Sequence, residues 1–418
     1  MSQTRRNFLK TSLGTSTLLS LAPAFLGRTA AAAPARRDAG ETVLIMVQLS
    51  GGNDGLNTLV PFEDDVYARS RPTLRMLPKE VHKINAEQGF HPQAPAFQRL
   101  FKEGLLSVVQ GVGYPNSSRN HPPAMRNWHT ARPKEPNCQT GWLGRAIDIA
   151  HRPDKADVPG VFVGPIAMPF ALNAEKTVVP SIRSLQGCVL RTAPGPGGQA
   201  HRRLQARIAD LPRAQEDPLL DFLQRNTSAA YAGSRRIEEV AREATRAKAA
   251  GYPAFQLAQT FKTVAQLIRA DLGIRIYFTE LGGGGIGGFD NHANQRGNHG
   301  ALLRELSESV AALVGDLKRD KLLDRVLLMT FSEFGRTVSE NGRRGTGHGA
   351  AAPVFLAGGR LKGGLIGPRP SLTDLDNDAP KFHTDFRRVY ATALDRWLGL
   401  DSEAVLGKKY DPFEALQV

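Results

Sequence analysis

The sequence predicts an α/β fold: a doubly wound, mostly parallel sheet with helices on both faces and a helical insertion. Two observations lead there. Apolar runs of strand length alternate along the chain with patterns of helical period, the signature of helices packed over a parallel sheet. Four polar motifs then stand at or just after the carboxyl ends of such runs, where an open α/β sheet collects its ligands. They are Ser50-Gly51-Gly52-Asn53-Asp54, Gly288-Phe289-Asp290-Asn291-His292, Ser332-Glu333-Phe334-Gly335-Arg336-Thr337 and Gly345-Thr346-Gly347-His348-Gly349.

The elements follow in order. Thr4-Arg5-Arg6-Asn7-Phe8-Leu9-Lys10, a mildly apolar stretch over 13–26 and an alanine run over 30–33 read as a twin-arginine export signal covering residues 1–33. Gly14 and Pro23 interrupt the apolar stretch, and no later segment has the 18 or more apolar residues of a membrane span. The mature chain is thus expected to be a soluble exported protein without a transmembrane span. It would be handed to the twin-arginine export machinery and be periplasmic where the source has two membranes. Residues 34–418 are expected to form a single domain.

Residues 42–49 (TVLIMVQL) form a continuous apolar run, as for a strand buried on both faces. A helix around 96–102 precedes a second run at 105–112, and 161–164, 274–281, 325–331 and 353–357 complete the strands. Leu302, Leu303, Leu306, Val310, Leu313, Val314 and Leu317 recur at helical spacing and predict a crossover helix over the sheet. Phe386, Val389, Tyr390, Leu394 and Trp397 do the same near the end, with Thr384 or Asp385 as N-cap. Between these, about 195–255 is rich in Ala, Arg, Glu and Gln, broken near Pro212, Pro218 and Gly251, and reads as a helical insertion. The Gly282 to Gly288 run is expected to be a loop at the rim of the site.

The formal charge of +14 falls to +10 without the leader's four cations, a balance that favours anionic small molecules or polysaccharides. Arginines are spread over the chain without interleaved aromatics, which argues against nucleic acid. Cys138 and Cys188 could pair in an oxidising compartment.

In the motifs, Asp54, Asp290, His292 and His348 are candidate ligands of a divalent metal, and their mix of carboxylate and imidazole favours zinc or manganese. Asp54 also suits a Gly-rich turn, where Asp is an ordinary turn former. Asp290 and His292, two residues apart, point the same way if extended. His348 between two glycines is either an approachable ligand or a solvated loop histidine. Glu333 after an apolar strand needs a partner, and Arg336 could supply it in a purely structural pair.

As a set the motifs resemble the DUF1501 family, through Leu49 to Asn57 (LSGGNDGLN), Gly288 to His292, Phe331 to Thr337 and Asp385 to Tyr390 (DFRRVY). The resemblance spans about residues 42–400, and the family is in turn similar to the alkaline phosphatase and sulfatase superfamily. That similarity implies a metal site at the strand ends, an Asp ligand after the first strand (Asp54), a later Asp and His (Asp290, His292) and a last His near a glycine (His348). The superfamily's nucleophile opens a helix nine residues before a Thr-Gly pair; counting back from Thr130 reaches His121, and Ala131 replaces the Gly. An Asp-His pair of the superfamily's second site is Glu333-Phe334 here. The departures imply a one-metal or altered two-metal centre. His121 becomes a candidate ligand, general acid or covalent acceptor, with a helix cap as the plainer reading, and Glu333 and Arg336 its candidate catalytic neighbours. At a helix N-terminus its neutral form is expected to be favoured. Two functions follow: a metal-dependent hydrolase of phosphate or sulfate esters, or a non-catalytic envelope protein that binds an anionic polymer or a protein partner.

Overall fold

The computed structural model describes residues 42–150, 160–177, 179, 181–183, 251–283 and 288–417. The twin-arginine leader, Cys188 and almost all of the expected insertion lie outside the described residues.

In chain order the elements that frame the site are β1 (Val43–Leu49), α1 (Pro95–Lys102), β2 (Leu106–Gly113), α2 (His121–Thr130), α3 (Trp142–Ala150), β3 (Gly160–Val163), β4 (Ser181–Ile182), α4 (Gln256–Arg269), β5 (Ile276–Leu281), α5 (Gln295–Arg319), β6 (Val326–Phe331), β7 (Ala352–Gly358), β8 (Gly364–Ile366), β9 (Thr384–Asp385) and α6 (Phe386–Ala391). The strands form one nine-stranded sheet in the order β8-β2-β7-β6-β1-β5-β3-β4, with β9 also paired to β2. Pairings are parallel except at β7, which runs antiparallel to both β2 and β6. This is the α/β, mostly parallel sheet the sequence predicts.

Strand alternation sorts the core into two layers. On β1, Val43, Ile45, Val47 and Leu49 pack with Phe97 and Leu100 of α1, Phe261 of α4 and Leu303 and Leu306 of α5. Leu44 and Met46 face the other way, toward Trp128 of α2, Trp142 of α3 and Phe386 and Tyr390 of α6. Every residue of β1 is buried because both faces are covered, which is why its sequence is apolar except for Gln48. Asp385 caps α6 by accepting the Arg387 N–H, and the chain continues into a π-helical turn at Thr392–Leu398.

The strand order positions the site. β5 and β6 flank β1 on its two sides, in parallel, so the segments leaving all three strands emerge side by side. Those segments carry the first three motifs. The fourth belongs to a two-stranded hairpin, Arg336–Glu340 with Thr346–His348, in which Arg336 and His348 are opposite each other. It feeds β7, whose antiparallel direction starts it at the edge where the parallel strands end.

Candidate metal centre

Asp290 is the centre of the constellation. Its Oδ1 lies 3.0 Å from His292 Nε2, 3.1 Å from His348 Nε2 and 2.8 Å from an Arg336 guanidinium nitrogen. Its Oδ2 lies 3.3 Å from His121 Nε2. The two Nε2 atoms of His292 and His348 are themselves 2.9 Å apart. His121, Asp290 and His348 can each offer a ligand atom, all within 4.8 Å of one another. Burial raises the Asp290 pKa, but the hydrogen bond and charge of Arg336, with the imidazoles beside it, outweigh burial and bring the carboxyl down to about 2. The group is an anion at any working pH.

Hydrogen-bond accounting shows how the imidazole lone pairs are arranged about Asp290. His348 Nδ1 faces the Arg119 carbonyl at 2.6 Å; a carbonyl only accepts, so Nδ1 carries the proton and a neutral ring presents a lone pair at Nε2. His121 Nδ1 donates to Glu333 Oε1 at 2.9 Å, which leaves Nε2 in the same condition. That Nε2 is buried and has no hydrogen-bond partner although Asp290 Oδ2 is near. Two lone pairs thus face carboxylate oxygens, an arrangement relieved by an added proton or a metal ion. Zinc takes such ligands at about 2.0–2.2 Å in a tetrahedron, whose donor atoms are then about 3.3 Å apart. The separations of 2.9–3.1 Å among Asp290 Oδ1, His292 Nε2 and His348 Nε2, and of 3.3 Å between Asp290 Oδ2 and His121 Nε2, are near that spacing, and the residue types present fit a divalent metal.

Glu333 is almost wholly buried and orients His121. Its Oε1 also accepts the Gly51 N–H at 2.9 Å, and its Oε2 lies 3.3 Å from Ser332 Oγ. Ser332 Oγ further binds the Leu49 carbonyl and the Asn53 N–H, at 2.7 and 2.9 Å, so the loop after β1 is tied to the loop after β6. Gly51 has φ +114°, and a Cβ there would stand 2.4 Å from the Asp290 nitrogen; only glycine lets the two loops approach. Phe334 packs against the site, its ring centroid 4.5 Å from that of His348 and 4.9 Å from that of His121.

Three expectations are corrected. Asp54, expected as a ligand, is not among the converging atoms. It caps the short helix Gly55–Thr58 and forms a buried ion pair with Arg71 at 2.6 Å, and these partners hold its carboxyl below the usual range against the burial that raises it. Arg336, expected as catalytic, is only 1% exposed. Its N–H groups go to the carbonyls of Gly51, Gly52, Phe289 and Thr346 as well as to Asp290, so it cross-links the four motifs and leaves Glu333 to His121. His121 does open α2, behind Asn120. Its pKa is nevertheless raised, chiefly by the hydrogen bond to Glu333, which outweighs burial.

The sequence reading missed Arg71, Gln295 and the Arg119 carbonyl, which lie outside the motifs or supply only backbone. A cleft lined by Leu56, Leu59, Gln110, Pro353 and Arg369 among others also reaches Arg336, but neither Asp290 nor any of the three imidazoles lines it.

Among solved structures the chain is similar to the C-terminal periplasmic domain of EcEptC from Escherichia coli in complex with Zn, at 12% identity over 77% of this chain and 74% of that one, TM-score 0.36. It is also similar to Ps i-CgsB in complex with k-i-k-neocarrahexaose, at 10% identity over 89% and 73%, TM-score 0.38. A third is the phosphonate monoester hydrolase SpPMH from Silicibacter pomeroyi, at 12% identity over 90% and 78%, TM-score 0.30. These likenesses are distant. No curated protein matches the sequence. A family model described as "Protein of unknown function (DUF1501)" matches residues 107–411, a stretch that holds His121, Asp290, His292, Glu333, Arg336 and His348, and the chain belongs to that family.

Proposed function

We propose that the protein is an exported, metal-dependent hydrolase of phosphate or sulfate esters, its metal held by Asp290, His292, His348 and His121. The observation that carries this reading is the pair of imidazole lone pairs aimed at one ionised carboxylate, with His121 Nε2 buried and unpartnered. A bound zinc or manganese ion would supply Lewis acidity toward the ester and a water of lowered pKa.

The chain's own residues perform the rest. Glu333 holds the proton on His121 Nδ1, so Nε2 is the atom free to ligate or to accept a proton from an attacking water. Arg336 fixes Asp290 through its guanidinium while spending its other donors on loop carbonyls, which keeps the carboxylate in place when the site loads. His121, Asp290 and His292 are about one-third to two-fifths exposed, so an ester could reach them from solvent. The basic chain favours anionic substrates, small or polymeric. Export follows from the Arg5-Arg6 leader.

The test is a screen of phosphate and sulfate esters, sulfated polysaccharides included, with protein exported through its own leader and loaded with zinc or manganese. Turnover that needs metal and disappears in His121→Ala is expected. Stoichiometric metal with no turnover on any ester would leave the non-catalytic binding protein as the function.

A further inference from the structure

We infer that Asp54 is a positioning residue for the metal centre: through Arg71 and Gln295 it grips both strands of the hairpin that bears Arg336 and His348. This rests on the metal-centre reading above and assigns a role to residues that the reading leaves unused.

The carboxylate is 2% exposed and its lone pairs are taken. Oδ1 accepts the Leu56 N–H at 3.2 Å and an Arg71 N–H at 3.0 Å, and Oδ2 accepts from Arg71 at 2.6 Å and from the Gln295 amide. Arg71 is fully buried. Beyond Asp54 it donates to the Asn57 side chain at 2.8 Å and to the carbonyls of Thr337 and Val338 at 2.8 and 2.9 Å. Thr337 adjoins Arg336, so this arm fixes the first strand of the hairpin. Gln295 makes the other arm: its Oε1 accepts from Thr346 Oγ1 at 2.7 Å, two residues before His348. Arg336 and His348 face each other across the hairpin and both contact Asp290 Oδ1. Asp54 therefore fixes the spacing of His348 and Arg336 about Asp290 without touching any of them. The same occupancy bars it from the ligand role, since a metal would have to displace the Arg71 pair.

Thr346→Val tests this, because it deletes one hydroxyl of the relay, nearly preserves shape and leaves the buried ion pair intact. Zinc affinity of the full mature chain would be measured by chelator competition, with the visible spectrum of the cobalt(II)-loaded protein and the melting temperature alongside. Loss of a relay partner outside the ligand set is expected to weaken zinc binding about 10- to 100-fold. The cobalt spectrum should change, the melting temperature should change little, and Thr346→Ser should restore affinity. Asp54→Asn, where it folds, should weaken binding while the stoichiometry is kept. Wild-type affinity in Thr346→Val overturns the positioning role, as does an Asp54→Asn chain that loses its metal altogether while Thr346→Val binds normally. A wild-type chain that binds no zinc overturns the metal centre itself, which is a distinguishable result.

Discussion

Replacing Asp290 by Asn is expected to weaken zinc or manganese binding by more than about 100-fold, beyond the 10- to 100-fold typical of losing an outer-shell partner. The carboxylate meets His121, His292, His348 and Arg336 together, and its low pKa keeps it ionised. Asn keeps the shape and removes the charge, so three imidazoles and a guanidinium would surround a neutral amide. The fold should survive. Asp290 is 42% exposed, and Arg336 retains four loop carbonyls as acceptors. A competition titration, with circular dichroism to verify folding, measures the effect. Undiminished affinity in a folded Asp290→Asn chain would place the metal elsewhere.

Acid is expected to unfold the protein well above the pH at which carboxylates titrate. Burial holds His129 at about 3, His91 at about 3 and His299 at about 4, against an ordinary 6.5. Two of them show the bonding of a neutral ring: His129 Nε2 donates to Gln48 Oε1 at 2.7 Å, and His91 Nδ1 accepts the Gln93 N–H at 3.0 Å. Lowered pKa values in the folded state mean that the unfolded chain binds more protons below pH 6.5. Stability is full above that pH and is lost progressively as pH falls toward 3–4. Three such groups together would cost up to about 4 kcal/mol per pH unit. His121 works in the opposite direction, since its raised pKa contributes stability at low pH that is lost as pH rises through it, but it is one-third exposed and its share is small. Urea titrations at pH 7.5, 6 and 5 measure the slope. His129→Gln should flatten it; an unchanged stability down to pH 5 would show that the buried imidazoles carry no such penalty.

The sheet was legible because burial on both faces writes itself as apolar runs. Residues 42–49, 274–281 and 325–331 predicted β1, β5 and β6 to within about two residues, and their adjacency explains why three motifs meet. Asp290, His292 and His348 were visible because carboxylates and imidazoles in short glycine-containing motifs stand out beside apolar runs. His121 was reached only through the register to Thr130, since nothing local marks a histidine before two prolines. Asp54 misled for a physical reason. A carboxylate after the first strand looks the same in sequence whether it ligates a metal or caps a helix and pairs with a buried arginine seventeen residues on. Its partners Arg71 and Gln295 belong to no motif, and the choice between roles is made by tertiary packing. The helix-terminus expectation for His121 failed similarly, because a hydrogen bond from 212 residues away raises its pKa.

Titration of the metal-stripped, full mature chain with zinc, beside the His121→Ala/His348→Ala double variant, tests the metal centre most directly. At least one ion bound per wild-type chain, and none held by the folded double variant, is the expected result. No binding by the wild-type chain, or equal binding by both, would contradict it.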